Sequence, residues 1–129
     1  MAGELTDDEL AFLHLMLDHA REGRTAELAA AIERGVPANL TSAAGDSLLI
    51  LAAYHDHPGT VRMLLEHGAD HARVNDRGQT ALGAAVFRRS RESTMLLLAH
   101  GADPDGGTRT AREIAAFFDL PEMAELLAG

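Results

Sequence analysis

The heptapeptide Leu64-Leu65-Glu66-His67-Gly68-Ala69-Asp70 returns as Leu97-Leu98-Ala99-His100-Gly101-Ala102-Asp103, displaced by 33 residues and altered only where Glu66 gives way to Ala99. The same displacement relates Gly45 to Gly78, Ser47 to Thr80, Leu49 to Leu82 and Ala52 to Ala85, and it runs back from Gly68 to Gly35. A constant period of roughly 20–50 residues marks a repeat architecture, in which each unit buries its apolar face only against its neighbours. Gly68 to His100 is one full unit of that kind, and it sets the frame for the rest of the chain.

Within that frame, Asn75-Asp76-Arg77-Gly78-Gln79-Thr80-Ala81-Leu82, then Ala85, the apolar run Met95 to Leu98 and Gly101-Ala102-Asp103 resemble the ankyrin repeat in its turn, helix, helix, Gly-Ala-Asp order. The resemblance covers roughly residues 10–129. It implies an all-α ankyrin repeat solenoid of about four helix-turn-helix repeats joined by hairpin-like loops. The expected division is an N-terminal cap repeat (1–35), two central repeats (36–68 and 69–101) and a C-terminal cap repeat with a shortened loop (102–129). It also implies a binding scaffold, which narrows the class of function without naming a partner.

Local signals fill in the helices. Thr6 followed by Glu9 is a capping box, and Asp7, Asp8 and Glu9 suit the positive end of the helix dipole. That helix is expected to run to about Arg21 with Leu10, Leu13, Leu17 and Ala20 on its buried face, and to be broken by Gly23. A second helix from about Thr25 ends at Gly35. The first pair carries an acidic extension and lacks a Thr-Pro-Leu turn, as a cap with one water-facing side would. Ser47 opens an almost wholly apolar helix, and Pro58 sits where a missing N–H costs nothing at the start of its partner. Thr80 to Arg89 and Glu92 to His100 repeat that plan. In the last unit Thr110 stands only 30 residues after Thr80, so the loop from Asp103 to Arg109 has lost three residues and should offer less surface.

Composition limits the function. The 129 residues contain no Cys, which excludes disulfides and thiolate sites, and 47% apolar residues are enough for one core. The acidic N-terminus lacks the charge and apolar stretch of a secretory signal, and no apolar run approaches spanning length, so a cytoplasmic, soluble protein is expected. All eleven basic residues are Arg, a usage that fits a high-GC bacterial genome. A formal charge of −9 argues against nucleic acid or anionic membrane as partner.

Catalytic motifs are missing: there is no Gly-x-Ser-x-Gly elbow, P-loop or dinucleotide glycine cluster, so no enzyme and no cofactor is expected. Asp103-Pro104-Asp105-Gly106-Gly107 places Gly107 where a calcium loop needs a third oxygen ligand. His55 and His57 could supply half a metal site, with Asp56 between them. A turn histidine bonded to nearby backbone is the simpler reading, and no metal is expected. His67 and His100 each precede a Gly, where imidazole can meet the last carbonyls of its helix.

The informative constellation is aromatic. Tyr54, Phe87 and Phe117 share one repeat position at the end of each inner helix, which in the family resembled faces the concave groove used for partners. Stacked in a row they would anchor a partner; the competing reading is that they roof the core. Arg88, Arg89 and Arg91 lie beside the row, and His55 and Phe118 follow their rings directly. Asp56, Arg89 and Asp119 stand where the family has a turn glycine, which puts the turn geometry in question. The tips Asp46, Asp76, Arg77, Gln79 and Arg109 border the groove in this family. The reading is a monomeric, non-enzymatic module that binds a protein or peptide with an acidic and apolar segment through its concave face. The alternatives are a structural homo-oligomer through the same aromatic row, or a metal-dependent factor using His55, Asp56 and His57.

Overall fold

Thr6, Ser47, Thr80 and Thr110 each hold extended backbone angles while the side-chain oxygen accepts from the N–H three residues on, so a helix starts after each. Thr6 and Thr110 complete capping boxes with Glu9 and Glu113. These inner helices are α1 (Asp7–Glu22), α3 (Leu48–Tyr54), α5 (Ala81–Phe87) and α7 (Ala111–Phe117). Each returns through a tight turn into an outer partner: α2 (Thr25–Glu33), α4 (Pro58–Glu66), α6 (Arg91–Ala99) and α8 (Pro121–Ala128). Pro58 and Pro121 occupy the first turn of α4 and α8, and Ser90 caps α6. The computed structural model describes residues 5–129; Met1 to Glu4, the start of the acidic extension, lie outside the described residues.

The four antiparallel pairs stack in sequence, α1, α3, α5 and α7 in one row and α2, α4, α6 and α8 in the other. This is the all-α repeat solenoid expected from the period of the sequence. Leu28, Leu48, Leu49, Leu64, Leu82 and Leu97, with Val61 and Val86, are fully buried between the rows. Small residues beside them, Ala52, Ala53, Ala81 and Ala85, let neighbouring inner helices approach closely. Two polar contacts cross between the first two pairs: the Thr25 and Thr60 hydroxyls bond at 2.7 Å, and His57 Nε2–H donates to the Arg21 carbonyl at 2.7 Å.

One feature differs from the sequence expectation, and one that the sequence left in question is answered. In α1 the buried face is Met16, Leu17 and Ala20 with Leu13 half-buried, while Leu10 is exposed, because the first turns of this longer helix run past the end of α3. The turns from inner to outer helix keep the left-handed conformation even without glycine. Asp56, Arg89 and Asp119 have φ of 61°, 58° and 52°, as Gly23 has 72° in the first pair. In each, the next residue closes the helix by donating five residues back: Arg24 to His19, His57 to Ala52, Ser90 to Ala85 and Leu120 to Ala115. These bonds hold the turn in a region that costs a residue with a Cβ about 1–2 kcal/mol.

The loops between repeats also stack. Asn75 N–H donates to the Gln79 carbonyl to close a hairpin, and Asp76 N–H reaches back to the Ala44 carbonyl of the loop before it. In the last loop no such closing bond forms; Thr108 and Arg109 donate instead to the Gly78 carbonyl. Gly78 is required there, since a Cβ would run into the Thr108 side chain.

Candidate functional site

Three of the inner helices, α3, α5 and α7, end in aromatic residues: Tyr54, Phe87 and Phe117. Tyr54 and Phe87 lie parallel and offset, with centroids 5.9 Å apart and planes within 6°. The row then continues through Phe118, edge-on to Phe87 at 5.5 Å, and not through Phe117. Phe117 meets the Phe118 ring at 4.9 Å, with no other aromatic neighbour among the described residues, and is 80% exposed. The reason lies in which way each position leans. The residue after the ring, at 55, 88 and 118, turns back toward the preceding repeat, so Phe118 reaches Phe87. Tyr54 and Phe87 each have a following repeat beside them, whereas beyond Phe117 the described stack has none. Tyr54 and Phe87 are 41% and 42% exposed, so each ring is partly covered and partly open to solvent.

Two hollows flank this row. One, of about 290 Å³, is lined by Arg21, Asp46, Tyr54, His55, Asp76 and Arg77 among others. The other, of about 240 Å³, runs from Tyr54 and Phe87 to Arg77, Gln79, Arg109 and Phe118. The loop tips named from the sequence therefore lie along one groove with the rings. Arg21, from α1, joins them; its position at the end of a longer first helix gave no repeat signal by which to find it.

Asn75 is the residue that holds this lip in place. It is buried, and its side-chain amide donates to Asp46 Oδ1 at 2.8 Å and to Gln79 Oε1 at 2.9 Å. Its carbonyl oxygen accepts from the Arg77 and Gln79 N–H groups. Asp46 and Gln79 are thus partly committed to the loop itself. An Asn that bonds its own backbone two residues on is a turn signal the sequence already carried.

The arginines do not form one cluster. Arg91 pairs with Glu122 at 3.2 Å, linking α6 to α8 on the outer row. Arg89, in its left-handed turn, faces a separate hollow of about 330 Å³ with Asp119, Leu120 and Glu122. Arg88 alone stays near the groove, close enough to His55 to repel its proton. Burial first, then the charges of Arg21, His57 and Arg88, hold the His55 imidazole below its ordinary pKa of 6.5. Residue 55 is exposed as a whole, but its ring is sheltered edge-on against Tyr54 at 5.3 Å, which accounts for the burial contribution. Arg77, Arg88 and Arg109 make no ion pair among the described residues, whereas Arg21, Arg24, Arg73, Arg91 and Arg112 do.

Three further histidines are bonded to backbone, whereas the buried Nδ1 atoms of His19 and His71 have no protein partner among the described residues. His57 is engaged with the Arg21 carbonyl, and His67 and His100 donate through Nδ1 to Met63 and Leu96, four residues earlier in their own helices. Among the described residues no three His, Asp or Glu side chains gather as a metal site requires. No helix among them is long and apolar enough to cross a membrane.

Comparison with known proteins agrees with the repeat fold. The family model for ankyrin repeats (3 copies) matches residues 7–108 and 49–129. An ankyrin repeat protein of Pseudomonas aeruginosa is 43% identical over 60 residues, covering 46% of this chain and 35% of that one. An ankyrin repeat-containing protein of Treponema pallidum is 35% identical over 111 residues, 83% of this chain and 37% of the other. The chain thus spans little more than a third of the length of these two relatives.

Proposed function

The chain belongs to the ankyrin repeat family, and from that premise we propose that it is a non-enzymatic module that holds a segment of a partner protein in the groove along Tyr54, Phe87 and Phe118. Ankyrin repeats are in general protein-interaction modules, and nothing chemical is asked of this one. The observation that carries the reading is the half-exposed ring row with a hollow on either side. Rings fixed by their own stacking lose little freedom when a partner covers them, which suits them as anchors. Arg77, Arg88 and Arg109, uncommitted to internal ion pairs in a chain of net charge −9, favour a segment that carries carboxylates beside its apolar residues.

The test is capture of a partner from lysate by the 129-residue chain and by a variant with Tyr54→Ser and Phe87→Ser, both shown by circular dichroism and melting to be folded. The wild type is expected to hold one protein that the variant releases, with a loss of about 2 kcal/mol or more in affinity. A partner held equally by both would place the binding surface elsewhere and end this reading.

A further inference from the structure

The two ends of the stack are unlike. At the C-terminal end Glu113, Ala116, Ala124 and Glu125 are exposed on α7 and α8, with Phe117 as a single open ring beside them. The N-terminal end was expected to face water as a cap, yet Phe12 and Leu15 on α1 are 49% and 47% exposed, and Leu5 is similarly open. Their helical positions point them away from α3. Phe12 adjoins Glu27, Ala30, Arg34 and Pro37 around a hollow of about 700 Å³, and a second hollow of about 420 Å³ continues past Leu5 and Val36. On α2 the side turned from α4 is marked by the opposite contacts. Thr25 meets Thr60 and Glu33 approaches His67 on the stacked side, which leaves Glu27, Ala30 and Arg34 facing outward.

That outward strip of α2 complements itself. Glu27 and Arg34 are seven residues apart, two helical turns, with small Ala30 and Ala31 between them. A second α2 laid antiparallel, with a two-fold axis beside the alanines, sets each Glu27 against the other copy's Arg34. The alanines allow close approach, and Phe12 and Leu15 are carried into the contact from α1. Arg34 has no ion pair within its own chain among the described residues, and Glu27 has only a 3.5 Å contact to Arg24. We propose that this end is an interface for a second copy of the chain, joined end to end about that axis. The monomer expected from the sequence is then the dissociated form. The groove along Tyr54 and Phe87 stays open in both copies, so this proposal stands independently of the partner reading.

Sedimentation equilibrium over a wide range of protein concentration tests it. The wild type is expected to associate reversibly to a dimer and no further, because an isologous contact closes on itself. Glu27→Arg alone and Arg34→Glu alone should each weaken the dimer about tenfold, since each sets like charges together at both ends of the contact. An equal mixture of the two variants should recover wild-type association, because opposite charges face again at every position. Leu15→Glu, at an exposed site that leaves the fold intact by circular dichroism, should abolish the dimer. A chain that is monomeric throughout overturns the proposal. So does a dimer that ignores both charge reversals, a mixture that fails to recover, or a dimer lost with Tyr54→Ser and Phe87→Ser.

Discussion

Arg89 shows how far one residue can be held against its own preference. Its φ of 58° is a conformation that glycine adopts freely and that crowds any side chain, yet the Ser90 to Ala85 bond keeps it there. Arg89→Gly is therefore expected to raise stability by about 1 kcal/mol in urea denaturation, with Asp56→Gly and Asp119→Gly giving less because Asp tolerates the left-handed region better. His55 makes a second statement at this scale. Its folded pKa is depressed, so the stability it allows is fully present above the ordinary value of 6.5 and is lost as pH falls through the lowered folded value. Melting curves taken from neutral to mildly acidic pH should show the wild type losing more stability than a His55→Asn variant. A carboxylate brought in by a partner between Arg21, His55 and Arg88 works in the opposite sense, so partner affinity should rise over the same fall in pH.

At the scale of elements, the hairpin loops depend on Asn75 more than on the residues at their tips. Asn75→Ala leaves the Arg77 and Gln79 N–H groups without their acceptor and removes the tie to Asp46, at an expected cost of about 1–3 kcal/mol by chemical denaturation. Partner affinity should fall with it even though Asn75 is buried, which separates positioning from contact. The elements themselves were readable in the sequence because their starts are chemical: Ser47, Thr80 and Thr110 cap, Pro58 and Pro121 open a first turn, and Gly35, Gly68 and Gly101 close the outer helices. The place of Phe118 was not readable. Repeat register equates it with His55 and Arg88, and only the backward lean of that position, a property of the folded turn, brings it onto Phe87. Arg88, Arg89 and Arg91 are neighbours in sequence, but the reversal of the chain at Arg89 sends Arg91 to Glu122 on another row. The apolar outer side of α1 was visible as Phe12 and Leu15, but a helical pattern does not tell which of its faces lacks a neighbour.

Across the described residues, the main contacts of every helix are with its own partner or with the adjacent pair, and no main contact ties one end of the stack to the other. Under tension applied at the two termini, such an array yields like links in series, beginning at the weakest junction. The first two pairs are locked through His57 to the Arg21 carbonyl and through Thr25 to Thr60, both at 2.7 Å. The last two share an exposed Arg91 to Glu122 ion pair and a 3.8 Å contact from the Thr94 hydroxyl to the Met123 sulfur, both softer. Pulling in an optical trap should therefore peel α7 and α8 away first and the pairs at the N-terminal end last. Because Phe118 leaves with that first peeled pair, a modest pull would shorten the ring row while Tyr54 and Phe87 still stack, making the groove's grip on its guest sensitive to mechanical load.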